Sequence, residues 1–148
     1  MTTAALPRRV AWLGYGGLLP FIATAVGSAV DSHHDPFWLD IQHAYGAVIL
    51  SFVGALHWGV AMLARDLDEA QRDTRYLWGV MPALVAWPAL LLSGWTASAL
   101  LVAGFMLHYW QDRRLVRQCA LPSWYLPLRG RLTGIACVCM IISPSLSH

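Results

Sequence analysis

The sequence predicts an all-α protein: a polytopic membrane helix bundle with five transmembrane helices, N-terminus inside and C-terminus outside. Three observations predict it. Of 148 residues, 57% are hydrophobic and 12% charged, whereas a soluble domain carries about 25% charged residues. The ten basic residues, all arginine, fall in clusters at 8–9, 65–75 and 113–131. Between these clusters run five charge-poor segments, near residues 10–30, 41–64, 76–93, 95–111 and 129–146. A spanning helix takes ~20 residues, so the chain reads as one integral membrane domain over 1–148. Each span must be helical, because hydrocarbon offers an open backbone no partner.

Taken in order, the first segment follows Arg8 and Arg9 and is longer than the ~7–15-residue core of a signal peptide. Its exit, Gly27-Ser28-Ala29-Val30, is a poor cleavage site, so it reads as an uncleaved span. Pro20 in this span, and Pro82 and Pro88 in the third, predict kinks. The second segment has no proline and is expected to be the straightest. Arg65–Glu69 and Asp68–Arg72 stand four apart in the second–third loop and allow a helical extension. The fifth segment is short and needs its flanks to cross. Alternation of the spans puts every arginine on one face and none on the other, which sets the orientation. Trp38, Trp78, Trp95, Trp110 and Trp124 fall near the borders, while Trp12, Trp58 and Trp87 lie deeper and are expected to pack inside. Ala47, Ser51, Ala55 and Gly59, and the pair Gly130 and Gly134, would let helices approach closely. Bundle packing is the expected use of both patterns.

The composition excludes a disordered chain, a collagen-like repeat and a disulfide-stapled secreted domain. No nucleophile elbow, HExxH or phosphate loop occurs. The span interiors hold no Asp, Glu, Lys or Arg, which disfavours an ion-coupled machine. What enters the spans is histidine: His43 and His57 on the second, His108 on the fourth. His43 and His57 are 14 residues apart, which places them on one helix face about 21 Å apart along the axis. That spacing is similar to double-haem helices of b-type cytochromes, with His57 and His108 as an axial pair and His43 as a third candidate. The alternative is buried neutral histidines hydrogen-bonded across helices. On the outer side Asp31, His33, His34, Asp35 and His148 are of metal-binding type, with His33 and His34 the candidate ligands. The inner loop 112–131 mixes arginine with Trp124, Tyr125 and leucine. It is expected to lie in the headgroup layer against anionic lipid. Topology explains its basic residues without nucleic acid.

The strings LGYGGLLPF (13–21), YGAVILSFVGALHWG (45–59), PALVAW (82–87) and PSWYLPLRGRLT (122–133) resemble a family of small multi-span membrane proteins of unknown function. It is a bacterial family with a mitochondrial relative called transmembrane protein sixty-nine. The resemblance covers nearly the whole chain, is most specific around His57-Trp58-Gly59, and implies an inner-membrane protein without an established cofactor. It singles out Trp58 beside His57, and an inner-face group of Asp112, Trp124, Tyr125 and Arg129, with Asp112 paired to Arg129. The expected location is the cell inner membrane, or the mitochondrial one in a eukaryote. The expected role is a non-enzymatic accessory or assembly component, with a membrane-protein partner or a second copy. A haem- or quinone-binding redox protein is the alternative, and a neutral-solute permease a further one.

Overall fold

The computed structural model describes residues 5–146, and helix is their regular structure. Six helices follow in order: α1 (Arg8–Gly16), α2 (Leu19–Val30), α3 (Asp35–Leu63), α4 (Glu69–Ala89), α5 (Gly94–Gln118) and α6 (Tyr125–Leu146). A 3-10 turn, Ser32–His34, leads into α3. The kink expected at Pro20 is the α1–α2 break. The proline stands at the start of α2, where its missing N–H costs no helical bond. Gly94, with φ +54°, makes the tight turn from α4 into α5.

From α2 onward, consecutive helices run antiparallel. Phe21 meets Tyr45, Trp58 meets Tyr76, and Trp78 meets His108. Asp112 meets Arg129 across α5 and α6. Among the described residues three stretches are long and apolar enough to cross a membrane: Arg8–Val30, Pro36–Leu63 and Tyr125–Leu146. The core gathers small and apolar residues from α2 to α6, among them Phe21, Leu50, Ala89, Leu101, Phe105 and Met140. Large apolar side chains such as Val48, Phe52, Leu84 and Leu91 face outward, as a lipid-facing surface requires.

Several expectations are corrected. Trp12, Trp58 and Trp87 do not pack inside; they are 79%, 45% and 67% exposed. Depth along a helix does not set the direction a residue faces. The basic segment 112–131 is mostly not a loop. Helix α5 continues through Gln118 and α6 begins at Tyr125, leaving six connecting residues, 119–124. Likewise α4 begins at Glu69, ahead of its apolar stretch, because Asp68 and Gln71 form a capping box there. Hydropathy changes where charges begin, but a helix ends where its backbone finds other partners. Arg72 does not turn to Asp68. It donates to the carbonyls of Ala61, Ala64 and Leu67 and closes the end of α3.

The small-residue stripe on α3 is split: Ala47 is buried, Ala55 is exposed, and a Cβ on Gly59 would meet open space, as would one on Gly134 of α6. Close approaches stand at Gly54, where a Cβ would lie 2.8 Å from the Pro82 ring, and, as expected, at Gly130, where it would lie 2.9 Å from the Tyr109 hydroxyl. Gly54→Val is therefore expected to destabilise the bundle by about 1–3 kcal/mol, and Gly134→Val to leave it within about 0.5 kcal/mol. Unfolding titrations in detergent micelles compare the two.

Candidate functional site

The arginine-bearing end of the bundle holds a buried polar cluster. His108 and Asp112 are one turn apart on α5, so they share a face. Tyr125 and Arg129 do the same on the first turns of α6. His57 comes from α3. Each of His57, His108 and Asp112 is fully buried, and Arg129 is 7% exposed. The expectation that the bundle interior holds no charge is thus overturned. Lengthening α5 and α6 past their apolar stretches carries Asp112 and Arg129 into the packed interior. Arg75 is buried too, at the start of α4.

Asp112 is the hub. Its Oδ1 accepts from His57 Nε2 at 3.0 Å and from the Tyr125 hydroxyl at 3.1 Å. Its Oδ2 accepts from Arg129 Nε at 2.9 Å. His108 Nε2 stands 3.7 Å from Oδ1, too far for a hydrogen bond. A guanidinium is always charged, so Asp112 is its carboxylate counter-ion.

The donor set fixes the tautomers. A carboxylate only accepts, so the His57 Nε2 that faces Asp112 carries a hydrogen. An indole N–H only donates, and Trp78 Nε1 donates to His108 Nδ1 at 3.0 Å. His108 is therefore neutral, with its hydrogen on Nε2. This bears on metal binding, because the ligand atoms of His57, His108 and Asp112 lie within 4.8 Å of one another. A metal-bound histidine normally donates through its other ring nitrogen. In His108 that nitrogen is already an acceptor, so ligation through Nε2 would require an imidazolate. A haem does not fit either. The two imidazoles stand 4.9 Å apart at 56°, both turned to one carboxylate, with no slot for a macrocycle between them. His43, the third haem candidate, bonds Ser98 of α5 at 2.8 Å.

Trp78→Phe is expected to leave His108 free to exchange tautomers. In the wild type, ¹⁵N spectra of labelled protein should show His108 Nδ1 unprotonated from pH 6 to 8. A protonated Nδ1 would overturn the assignment.

Of the remaining candidates, Trp58 leaves the cluster and donates to the Tyr76 carbonyl at 2.7 Å. On the outer side His34 Nδ1 meets both oxygens of Asp31 at 3.0 Å. That bond holds the Asp31 carboxyl below the usual carboxylate range. His33 is exposed. Among the described residues the outer histidines join no three-ligand group; His148 lies outside the described residues. All three cysteines are free, and burial pushes the Cys119 thiol up.

A cavity of about 410 Å³ lies against the cluster, between α1–α2, α3 and α6. Phe21, Val53, Phe105 and Ala136 line its depth, and the exposed Leu13 and Phe52 stand at its rim. Trp124 and Tyr125 also line it, as do Arg129 and Thr133. Arg129 Nη2 and Thr133 Oγ1 are buried without a hydrogen-bond partner. Both residues line this otherwise apolar space, while the two atoms themselves are covered. Sequence reasoning missed Thr133 and Trp78 as members of this site. Thr133 could have been found, as the hydroxyl one turn beyond Arg129; nothing local marks Trp78.

The comparisons with known proteins agree with the resemblance carried by the sequence. A family model described as "Protein of unknown function (DUF3429)" matches residues 6–144. Transmembrane protein 69 of Xenopus tropicalis is 38% identical over 135 residues, covering 88% of this chain and 51% of the relative. Transmembrane protein 69 of Mus musculus is 26% identical over 138 residues, covering 93% and 56%. The chain thus spans about half the length of the curated relatives it matches. No solved structure matches.

Proposed function

The chain belongs to the DUF3429 family of proteins of unknown function, and we propose that it is an inner-membrane bundle that binds one amphiphilic, lipid-soluble molecule in the cavity beside Arg129. The bundle crosses five times, with the arginine-bearing end inside. In α4 the charged residues occupy the first two turns, and in α5 the last two. Their apolar remainders form the third and fourth spans, with arginine side chains reaching back to the headgroups. Arg113, Arg114 and Arg117, with Arg114 stacked on Trp110 at 3.7 Å, then face anionic lipid.

One observation carries the binding reading: an apolar cavity of about 410 Å³ beside the buried cluster, with Arg129, Thr133, Trp124 and Tyr125 among its lining residues. A membrane pocket with a few convergent polar atoms suits a ligand with a polar head and an apolar tail. The accessory role rested partly on an uncharged interior, which the Asp112–Arg129 pair replaces. Of the haem and quinone alternatives, the cavity suits the tailed molecule.

Native mass spectrometry of the protein extracted in mild detergent tests this. A bound small molecule is expected on the wild type and on Val48→Phe, whose site faces lipid. It is expected to be lost from Ala136→Phe, which fills the cavity, provided that variant elutes as one species. Equal adducts on wild type and Ala136→Phe would sink the reading.

A further inference from the structure

The outward face of α5 carries a second site, apart from the cavity. Trp110, Arg113, Arg114 and Arg117 line a niche of about 200 Å³ at the inner end of this helix. We infer that the niche binds the head of a membrane lipid that carries two negative charges, as two phosphate groups supply. This inference rests on the reading above, in which these arginines face anionic lipid, and it names the class of lipid.

The first argument is placement along the helix. At 100° per residue, positions 110, 113, 114 and 117 fall on one face. Ala99, Ala103, Met106 and Leu107 continue that face toward the other end of α5, and all four are exposed. The face thus runs from small and apolar side chains, through an indole, to three guanidiniums. A lipid laid along the helix has the same order: tail, interface, charged head. An indole at the border is where the interface places one. A soluble phosphate would meet the arginines and leave the apolar half of the face unmatched, so the occupant is a lipid.

The second argument is unmet charge. Other arginines of this end have partners within the fold. Arg129 pairs with Asp112 at 2.9 Å, Arg75 reaches Gln111 and Gln118, and Arg72 closes the end of α3. Among the described residues Arg113, Arg114 and Arg117 have no carboxylate within ion-pair distance. Positions 113 and 117 are one turn apart, so the three charges lie within about 6 Å along the axis and repel one another. Arg114 is stacked on Trp110 at 3.7 Å. Stacking fixes that guanidinium and leaves its in-plane N–H groups free to donate. A head with one negative charge meets one of the three. A head with two spans the turn and accepts forked N–H pairs from more than one guanidinium.

Native mass spectrometry of the purified full chain in mild detergent tests this with five probes: cardiolipin, a phosphatidylinositol phosphate, phosphatidylglycerol, phosphatidylcholine and inorganic pyrophosphate. Cardiolipin and the phosphatidylinositol phosphate are expected to bind at least about fivefold more tightly than phosphatidylglycerol at equal phosphate, as one further charge met by arginine implies. These two differ in tail number and share a multiply charged head, so agreement between them assigns the preference to charge. Arg113→Gln/Arg117→Gln is expected to weaken both about tenfold, and to leave the cavity's own adduct in place. Arg9→Gln/Arg65→Gln removes equal charge from exposed positions off this face and is expected to weaken them less than about twofold. Phosphatidylglycerol binding as tightly as the multiply charged lipids, cardiolipin alone binding tightly, or equal weakening by the two double variants would overturn the site while leaving a general attraction to anionic lipid. Pyrophosphate binding as tightly as the lipids would overturn the lipid occupant. If no anionic lipid is preferred over phosphatidylcholine, the anionic-lipid reading falls as well.

Discussion

Asp112→Ala is expected to destabilise the protein by about 3–5 kcal/mol, the cost of leaving a buried cation without its counter-charge. Three donors lose their acceptor at once: His57 Nε2, the Tyr125 hydroxyl and Arg129 Nε. Arg129 suffers most, because its Nη2 already has no partner. The cluster also joins α3, α5 and α6 at one end, so its loss loosens three helices together. Unfolding in mixed micelles, followed by tryptophan fluorescence, measures the effect. The double variant Asp112→Leu/Arg129→Leu separates pairing from packing. Replacing both charges by apolar groups of similar size is often near neutral. The double variant is therefore expected to be more stable than Asp112→Ala by at least about 2 kcal/mol. If it is no more stable, the ion pair is not what holds this end together.

Arg75→Met is expected to cost roughly 2–4 kcal/mol, since hydrogen bonds to a buried charge are stronger than neutral ones. Arg75 is 1% exposed and spans α4 to α5. Its Nε donates to Gln118 Oε1 at 3.0 Å, Nη2 donates to the same oxygen, and Nη1 reaches the Gln111 carbonyl and side chain. Methionine fills a similar volume but supplies no donor, leaving both glutamines unmet. Arg75→Lys is expected to recover less than half of the loss, because a single ammonium cannot fork across both glutamines. The same micelle titration reads all three proteins. A loss below about 0.5 kcal/mol for Arg75→Met would place this arginine among ordinary surface residues.

Much of the fold is legible in the order of residues alone. Proline and glycine positions mark the α1–α2 break and the turn at Gly94, because these residues constrain the backbone locally. Asp112 and Arg129 are legible as neighbours, since both flank apolar segments that meet at the arginine-bearing end. His57 and His108 are legible as sharing a depth, which follows from residue count alone. Their common partner is not, because a helix's rotation about its axis is set by what packs on its other faces. The indoles show the same gap: Trp58 is at the right depth for the cluster but faces the α3–α4 seam. Thr133 is legible only as a hydroxyl one turn beyond Arg129, and its place beside the cavity is a tertiary fact.

Composition and charge order by themselves determined a helical membrane protein. Those properties follow from solvent transfer and chain alternation, which sequence order specifies completely. Only the tertiary structure decided that Asp112 and Arg129 are buried rather than lipid-facing collar residues. It also decided that His108 Nδ1 accepts from Trp78, and that Arg129 and Thr133 line an apolar cavity. Each of these depends on the direction of a side chain around its helix, and that direction is settled only when all the helices pack at once.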